Sequence, residues 1–215
     1  FRPGDRVVYR KNPNYVPRKE PASGLAGGKV VKVDSVEWVL LKDPQTQANA
    51  LLNGEVDVLE VVPPARYPEL RTNPKVELLD IVPAGTFTAI YNHEVPPFNQ
   101  SKAVRAALLA INQEAMLRAQ VTYREFDKTC ASIYLCGSTY ASKEPGFFTG
   151  KPQIEEARRL LKESGYAGKP VVVMVPSDLA ALSRLPVVYA ELLKQAGFTV
   201  DVQTMDWASL ITRRT

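Results

Sequence analysis

TFTAIYNHEVPPFNQSKAVRAALLAIN, residues 86–112, contains the change of structural type on which the reading of the whole chain turns. Residues 86–91 are rich in β-branched and aromatic side chains and lie between Gly85 and Asn92, which predicts a strand. Pro96 and Pro97 then stop any strand or helix from running through. Asn99 can cap a helix by accepting a hydrogen bond from a free first-turn amide. Ala103, Val104, Ala107, Leu108 and Ile111 come next at spacings of three and four, so one face of a helix ending near Ala119 is apolar. The segments on either side of this run each read as part of an α/β body, which makes it a candidate junction between two lobes.

Upstream of the junction, residues 76–82 predict a strand, and Pro63-Pro64 introduces a short helix to about residue 72 with Tyr67 and Leu70 as its apolar contacts. Residues 30–41 and 55–62 predict strands on either side of another helix. That helix opens at Asp43-Pro44, with Asp as cap and Pro where its missing N–H costs nothing, and closes at Asn53-Gly54. Ala48, Leu51 and Leu52 form its inward stripe. Strand, helix and strand at this length predict a βαβ unit with parallel strands. Nearer the start, residues 6–10 alternate as a strand does, and a loop extends over 12–21. PASGLAGGK, residues 21–29, is too rich in Gly and Pro for a regular element and lacks the GxxxxGK[ST] spacing of a phosphate-cradling loop.

Downstream, residues 121–150 are irregular and hold both cysteines. Residues 153–164 predict a helix with Ile154, Ala157, Leu160 and Leu161 inward and Gly165 past its end. The apolar run 171–175 is expected of a strand covered on both faces. A helix over 185–196 has Pro186 in its first turn and Val188, Tyr189, Leu192 and Leu193 inward. With a strand over 198–204 it makes a second βαβ unit, and Asp206 can cap a last helix through Trp207 and Leu210.

The chain of 215 residues, 45% apolar and 23% charged, is long enough for one large or two small globular domains. No run approaches the roughly eighteen apolar residues that span a bilayer. Its 27 basic and 23 acidic residues are interspersed, with no cluster longer than Arg213-Arg214. A nucleic-acid binder concentrates its cations on one face with aromatics between them, so the charge reads as solvated surface and no nucleic-acid partner is expected. The lone His93 stands without HExxH, EF-hand or CxxC spacing, so neither a metal nor any other cofactor is expected. No GxSxG elbow sets a nucleophile beside a base. Asp57 alternates with Val56 and Val58, which predicts a solvated or capping carboxylate rather than a catalytic one. Cys130 and Cys136 are two thiols in a reducing compartment, or close a small loop in an oxidising one, worth about 2 kcal/mol.

Several of these stretches together resemble the family 5 extracellular solute-binding proteins, the peptide-, dipeptide- and nickel-type binding components of ABC importers. They are the strand ending in Asn92 with PPF at 96–98 and VRAALLAIN at 104–112, and NPNY at 12–15. To these are added VEWVLLKDPQTQANALLNGEVDVLE at 36–60, KPQIEEARRLLKESGY at 151–166 and LLKQAGFTVDVQTMDWASL at 192–210.

The resemblance implies an α/β fold of the periplasmic-binding-protein type (type II, cluster C) with two lobes, here incomplete. Residues 1–91 would be part of the first lobe up to its hinge strand, and 92–215 the N-terminal part of the second. It implies a monomer that captures a peptide or similar small solute, and delivers it to ABC permease subunits without chemical change. The expected location is the periplasm, or the outside of the membrane as a lipoprotein, and export favours the disulfide between Cys130 and Cys136. In the family the segment 85–91 lines the cleft near the hinge, which makes Phe87, Thr88 and Tyr91 the ligand-cleft candidates. The competing reading is that alternate residues of this strand are core. The acidic residue that grips the ligand's amino end in peptide-binding relatives lies further along than this chain extends. Two rival classes are a stand-alone α/β hydrolase-like enzyme, needing Asp57 or Asp80 beside His93 in a pocket, and a ligand-free interaction module.

Overall fold

The computed structural model describes residues 5–24, 26–79, 87–120, 123, 128–132, 134–142, 146 and 148–214. The chain divides into two compact units, Phe1–Leu78 and Leu79–Thr215.

The first unit opens with β1 (Arg6–Arg10), which pairs antiparallel with β2 (Ser35–Val39), Val8 opposite Glu37. β2 is shorter than the run 30–41 because only residues 35–39 find partners on β1. The Gly-rich loop between them is closed on itself: Gly28 donates to the Glu20 carbonyl, and a Cβ on Gly28 would lie 2.4 Å from the Arg18 carbonyl oxygen. Helix α1 (Pro44–Leu52) begins as its sequence requires, with the Thr46 amide and hydroxyl both donating to Asp43 Oδ1. Ala48 and Ala50 are its buried residues, whereas Leu51 and Leu52 are half-buried.

No strand forms at 55–62, so the first βαβ unit is not made. Gly54, at φ +74°, turns the chain back over the helix end, where the amides of Glu55 and Val56 both donate to the Ala50 carbonyl. Those amides are then taken from any ladder. A 3₁₀ turn over Pro64–Arg66 leads into α2 (Tyr67–Thr72), whose Leu70 is fully buried. Residues 76–79 form no strand, and the rest of that expected strand lies outside the described residues.

The second unit carries the larger core. Residues 87–91, with the side chains of a strand, are not in a ladder among the described residues. In the next helix, α3 (Ser101–Leu109), Gln100 rather than Asn99 takes the N-cap position, with no side-chain capping bond. It stops at Ala110 instead of running on to 119. Asn112 Oδ1 accepts from the Ala115 amide and starts a separate helix, α4 (Gln113–Gln120). Ala103, Ala106 and Ala107 give α3 a small-residue face, and Leu160 and Leu161 of α5 (Ile154–Glu163) belong to the same core.

β3 (Val171–Pro176) runs parallel to β4 (Val200–Met205), with α6 (Ala180–Gln195) between them in the chain, so the second βαβ unit forms as expected. Helix α6 begins a turn and a half earlier than expected and carries Pro186 in its interior. Its inward residues Tyr189, Leu192 and Leu193 are buried. Among the described residues this sheet has two strands, and β3 is not covered on both faces as expected: Val172 is exposed, as is Val202 on β4. Helix α7 (Trp207–Arg214) is capped by Asp206, which accepts from the Ser209 amide and hydroxyl. No helix among the described residues is long and apolar enough to cross a membrane.

Candidate functional site

The three cleft candidates part company in the structure. Phe87 is 55% exposed and Thr88 is exposed, whereas Tyr91 is turned into the core of the second unit. The Tyr91 ring meets Phe98 at 4.8 Å between centroids, and its hydroxyl lies 2.5 Å from that of Tyr189. The Tyr189 hydroxyl donates its only proton to the Ala107 carbonyl at 3.1 Å, so Tyr91 is the donor to Tyr189.

This chain of hydroxyls completes the end of α3. A helix leaves its last four carbonyls without intrahelical partners. Here Ala106 accepts from the Ala110 amide, Leu108 from Ile111, and Leu109 from the Gln153 amide at 2.8 Å, while Ala107 takes the Tyr189 proton. Burial raises the pKa of both phenols, because desolvation disfavours the phenolate. Both therefore stay protonated at neutral pH and serve as hydrogen-bonding groups.

His93 Nδ1 lies 3.1 Å from the Phe98 carbonyl oxygen, a local contact across the Pro turn. Asp57 is exposed, and not on a strand, while Asp80 lies outside the described residues. Among the described residues no three of His, Cys, Asp and Glu gather as metal ligands. In the Gly-rich loop Lys29 Nζ points at the loop's own carbonyls, 2.5 Å from Gly24 and 2.9 Å from Ala26, the reverse of a backbone amide cradle for phosphate. An open cavity of about 240 Å³ is lined by Pro96, Pro97, Gln100, Tyr166 and Lys169 among others, and by none of the cleft candidates. Cys130 and Cys136 are joined by a disulfide.

Sequence reasoning placed Tyr189 inward but did not assign its hydroxyl a partner. A Tyr on a buried helix face carries that signal, because a buried phenol needs one.

The description "Bacterial extracellular solute-binding proteins, family 5 Middle" matches this chain over residues 1–215. The chain belongs to that family. A "Probable peptide ABC transporter periplasmic-binding protein" of Sinorhizobium fredii is 37% identical over 219 residues, covering 99% of this chain and 41% of that protein. Among solved structures, the dipeptide binding protein of a Pseudoalteromonas species in complex with Met-Leu aligns with TM-score 0.68 and 21% identity, over 99% of this chain and 40% of that one. The binding protein AgaA of A. tumefaciens R10, in complex with agropinic acid, gives 0.72 and 18%, over 99% and 41%. The fold is thus that of the type II periplasmic binding proteins, and this family 5 chain spans about two-fifths of the length of the relatives it matches.

Proposed function

We propose that this chain is part of the substrate-binding component of an ABC importer, which captures a peptide or similar small solute outside the cytoplasmic membrane and delivers it to the permease. The observation that carries this reading is the family match along the whole chain, together with the 37% identity to a peptide transporter's binding protein. In this reading residues 1–91 and 92–215 contribute to two different lobes. The protein works as a monomer in the periplasm, or tethered outside the membrane as a lipoprotein, and leaves its solute chemically unchanged. Phe87 and Thr88 face the solute, and Tyr91 fixes the segment that carries them. Closure of two lobes on a solute excludes water and strengthens each polar contact made there.

Calorimetry with dipeptides and longer peptides tests this. The full-length protein binds in the micromolar range or tighter, while residues 1–215 alone bind weakly or not at all, since they span about two-fifths of the relatives. Full-length protein that binds no peptide overturns the assignment of ligand class.

A further inference from the structure

Gln113, the first residue of α4, joins three parts of the second unit. Its Nε2 donates to the Cys130 carbonyl at 2.6 Å, and its Oε1 accepts from the Cys130 amide at 2.9 Å. One side-chain amide thus pairs in both directions with one backbone residue, as a neighbouring strand would. The Gln113 backbone amide donates to the Gly150 carbonyl at 3.0 Å. A Cβ on Gly150 would lie 2.4 Å from Gln113 Oε1, and Gly150 has φ +73°, so glycine leaves room for the clamp and adopts the turn without strain. Segments at both ends of the long excursion between α4 and α5 therefore meet at this glutamine.

The disulfide acts differently. It links Cys130 to Cys136, six positions along the same loop, so it restricts the loop's own conformations and reaches no other element. We propose that Gln113, not the Cys130–Cys136 bond, docks this loop on the body of the protein, so that the loop keeps its place when the disulfide is reduced. Docking on this view is insensitive to redox conditions, although the loop carries a disulfide.

Residues 1–215 contain two cysteines, so cysteine-selective ¹⁵N labelling of this chain gives one amide signal for each. A phosphine reduces the disulfide to two thiols, its phosphorus being oxidised to the phosphine oxide with oxygen and protons from water. Exchange of the Cys130 amide with deuterium is expected to keep its rate to within about threefold on reduction, because its acceptor, Gln113 Oε1, is unchanged. Gln113→Leu accelerates that exchange by about tenfold in the oxidised protein. Gln113→Glu keeps the acceptor but sets a carboxylate oxygen against the Cys130 carbonyl, and gives an intermediate rate. Should Gln113→Leu fail to fold, the wild-type redox comparison and Gln113→Glu still decide. Loss of Cys130 protection on reduction of the wild type, or unchanged exchange in both variants, overturns the proposal.

Discussion

Replacing Tyr189 by Phe removes one oxygen and two hydrogen bonds: the one it donates to the Ala107 carbonyl and the one it accepts from Tyr91. Ala107 has no backbone substitute at the end of α3, because the Ile111 amide goes to Leu108. A buried polar group left unpaired costs about 1–3 kcal/mol, and Tyr91, half-buried, falls at the low end because water can reach it. Tyr189→Phe is therefore expected to destabilise the second unit by about 3 kcal/mol. Tyr91→Phe leaves the Tyr189 bond to Ala107 in place and costs about 1 kcal/mol. The double variant removes both phenols, so no orphaned Tyr91 proton remains, and it is no less stable than Tyr189→Phe alone. Independent contributions would instead make it about 1 kcal/mol worse. Urea unfolding monitored by Trp207 fluorescence, with Trp38→Phe in every variant, reports the second unit because the chain has two tryptophans. At a slope of about 2 kcal/mol per molar, Tyr189→Phe lowers the midpoint by about 1.5 M. Equal losses for the two single variants, or additivity in the double, would refute a directed chain from Tyr91 through Tyr189 to Ala107.

Alkaline pH acts on the same pair. Both phenols have pKa values raised above 10.0 in the folded chain, so their contribution is fully present below pH 10 and is lost as pH rises through their folded values. Urea midpoints of the second unit are expected to hold flat to about pH 10 and then fall, with a shallower fall in the double Phe variant; equal slopes would contradict the burial argument. Leu193 is 1% exposed in α6, and Leu193→Ala is expected to cost about 2–5 kcal/mol by the same assay. Val187→Ala on that helix, at 46% exposure, stays within about 0.5 kcal/mol, and comparable losses at both sites would show that α6 does not bury the face assigned to it.

The elements that sequence placed well are those whose cause is local or whose periodicity is long. Asp43-Pro44 and Asp206 specify helix starts within a single turn, and the structure shows both caps. The stripe of Ala157, Leu160 and Leu161 has one helical solution and takes it. Strands were legible only where a partner exists: 200–205 pairs with 171–176, whereas 55–62 and 87–91 have suitable residues and no ladder. Side-chain patterns report a preference for extended backbone; hydrogen-bond partners come from elsewhere in the chain. The break between α3 and α4 was missed for a related reason. Ile111 continues the apolar spacing, and only the capping bond from Ala115 to Asn112 shows that the helix has restarted.

Sequence reasoning chose a segment for the candidate site and did not separate its residues. A strand reading makes Phe87 and Tyr91 equivalent, both two positions from Ala89, yet one is exposed and the other is held by Phe98 and Tyr189. Aromatic identity does not distinguish them; the phenol does, because it reaches an acceptor on a helix 98 positions further along the chain. This difference determines how the cleft proposal can be tested. A substitution at Tyr91 perturbs the core that holds the segment, so any change in affinity it causes mixes solute contact with altered support. Phe87→Ala and Thr88→Ala change exposed side chains, leaving the Tyr91 anchor intact, and their effect on peptide affinity at unchanged stability is the measurement that isolates contact with the solute.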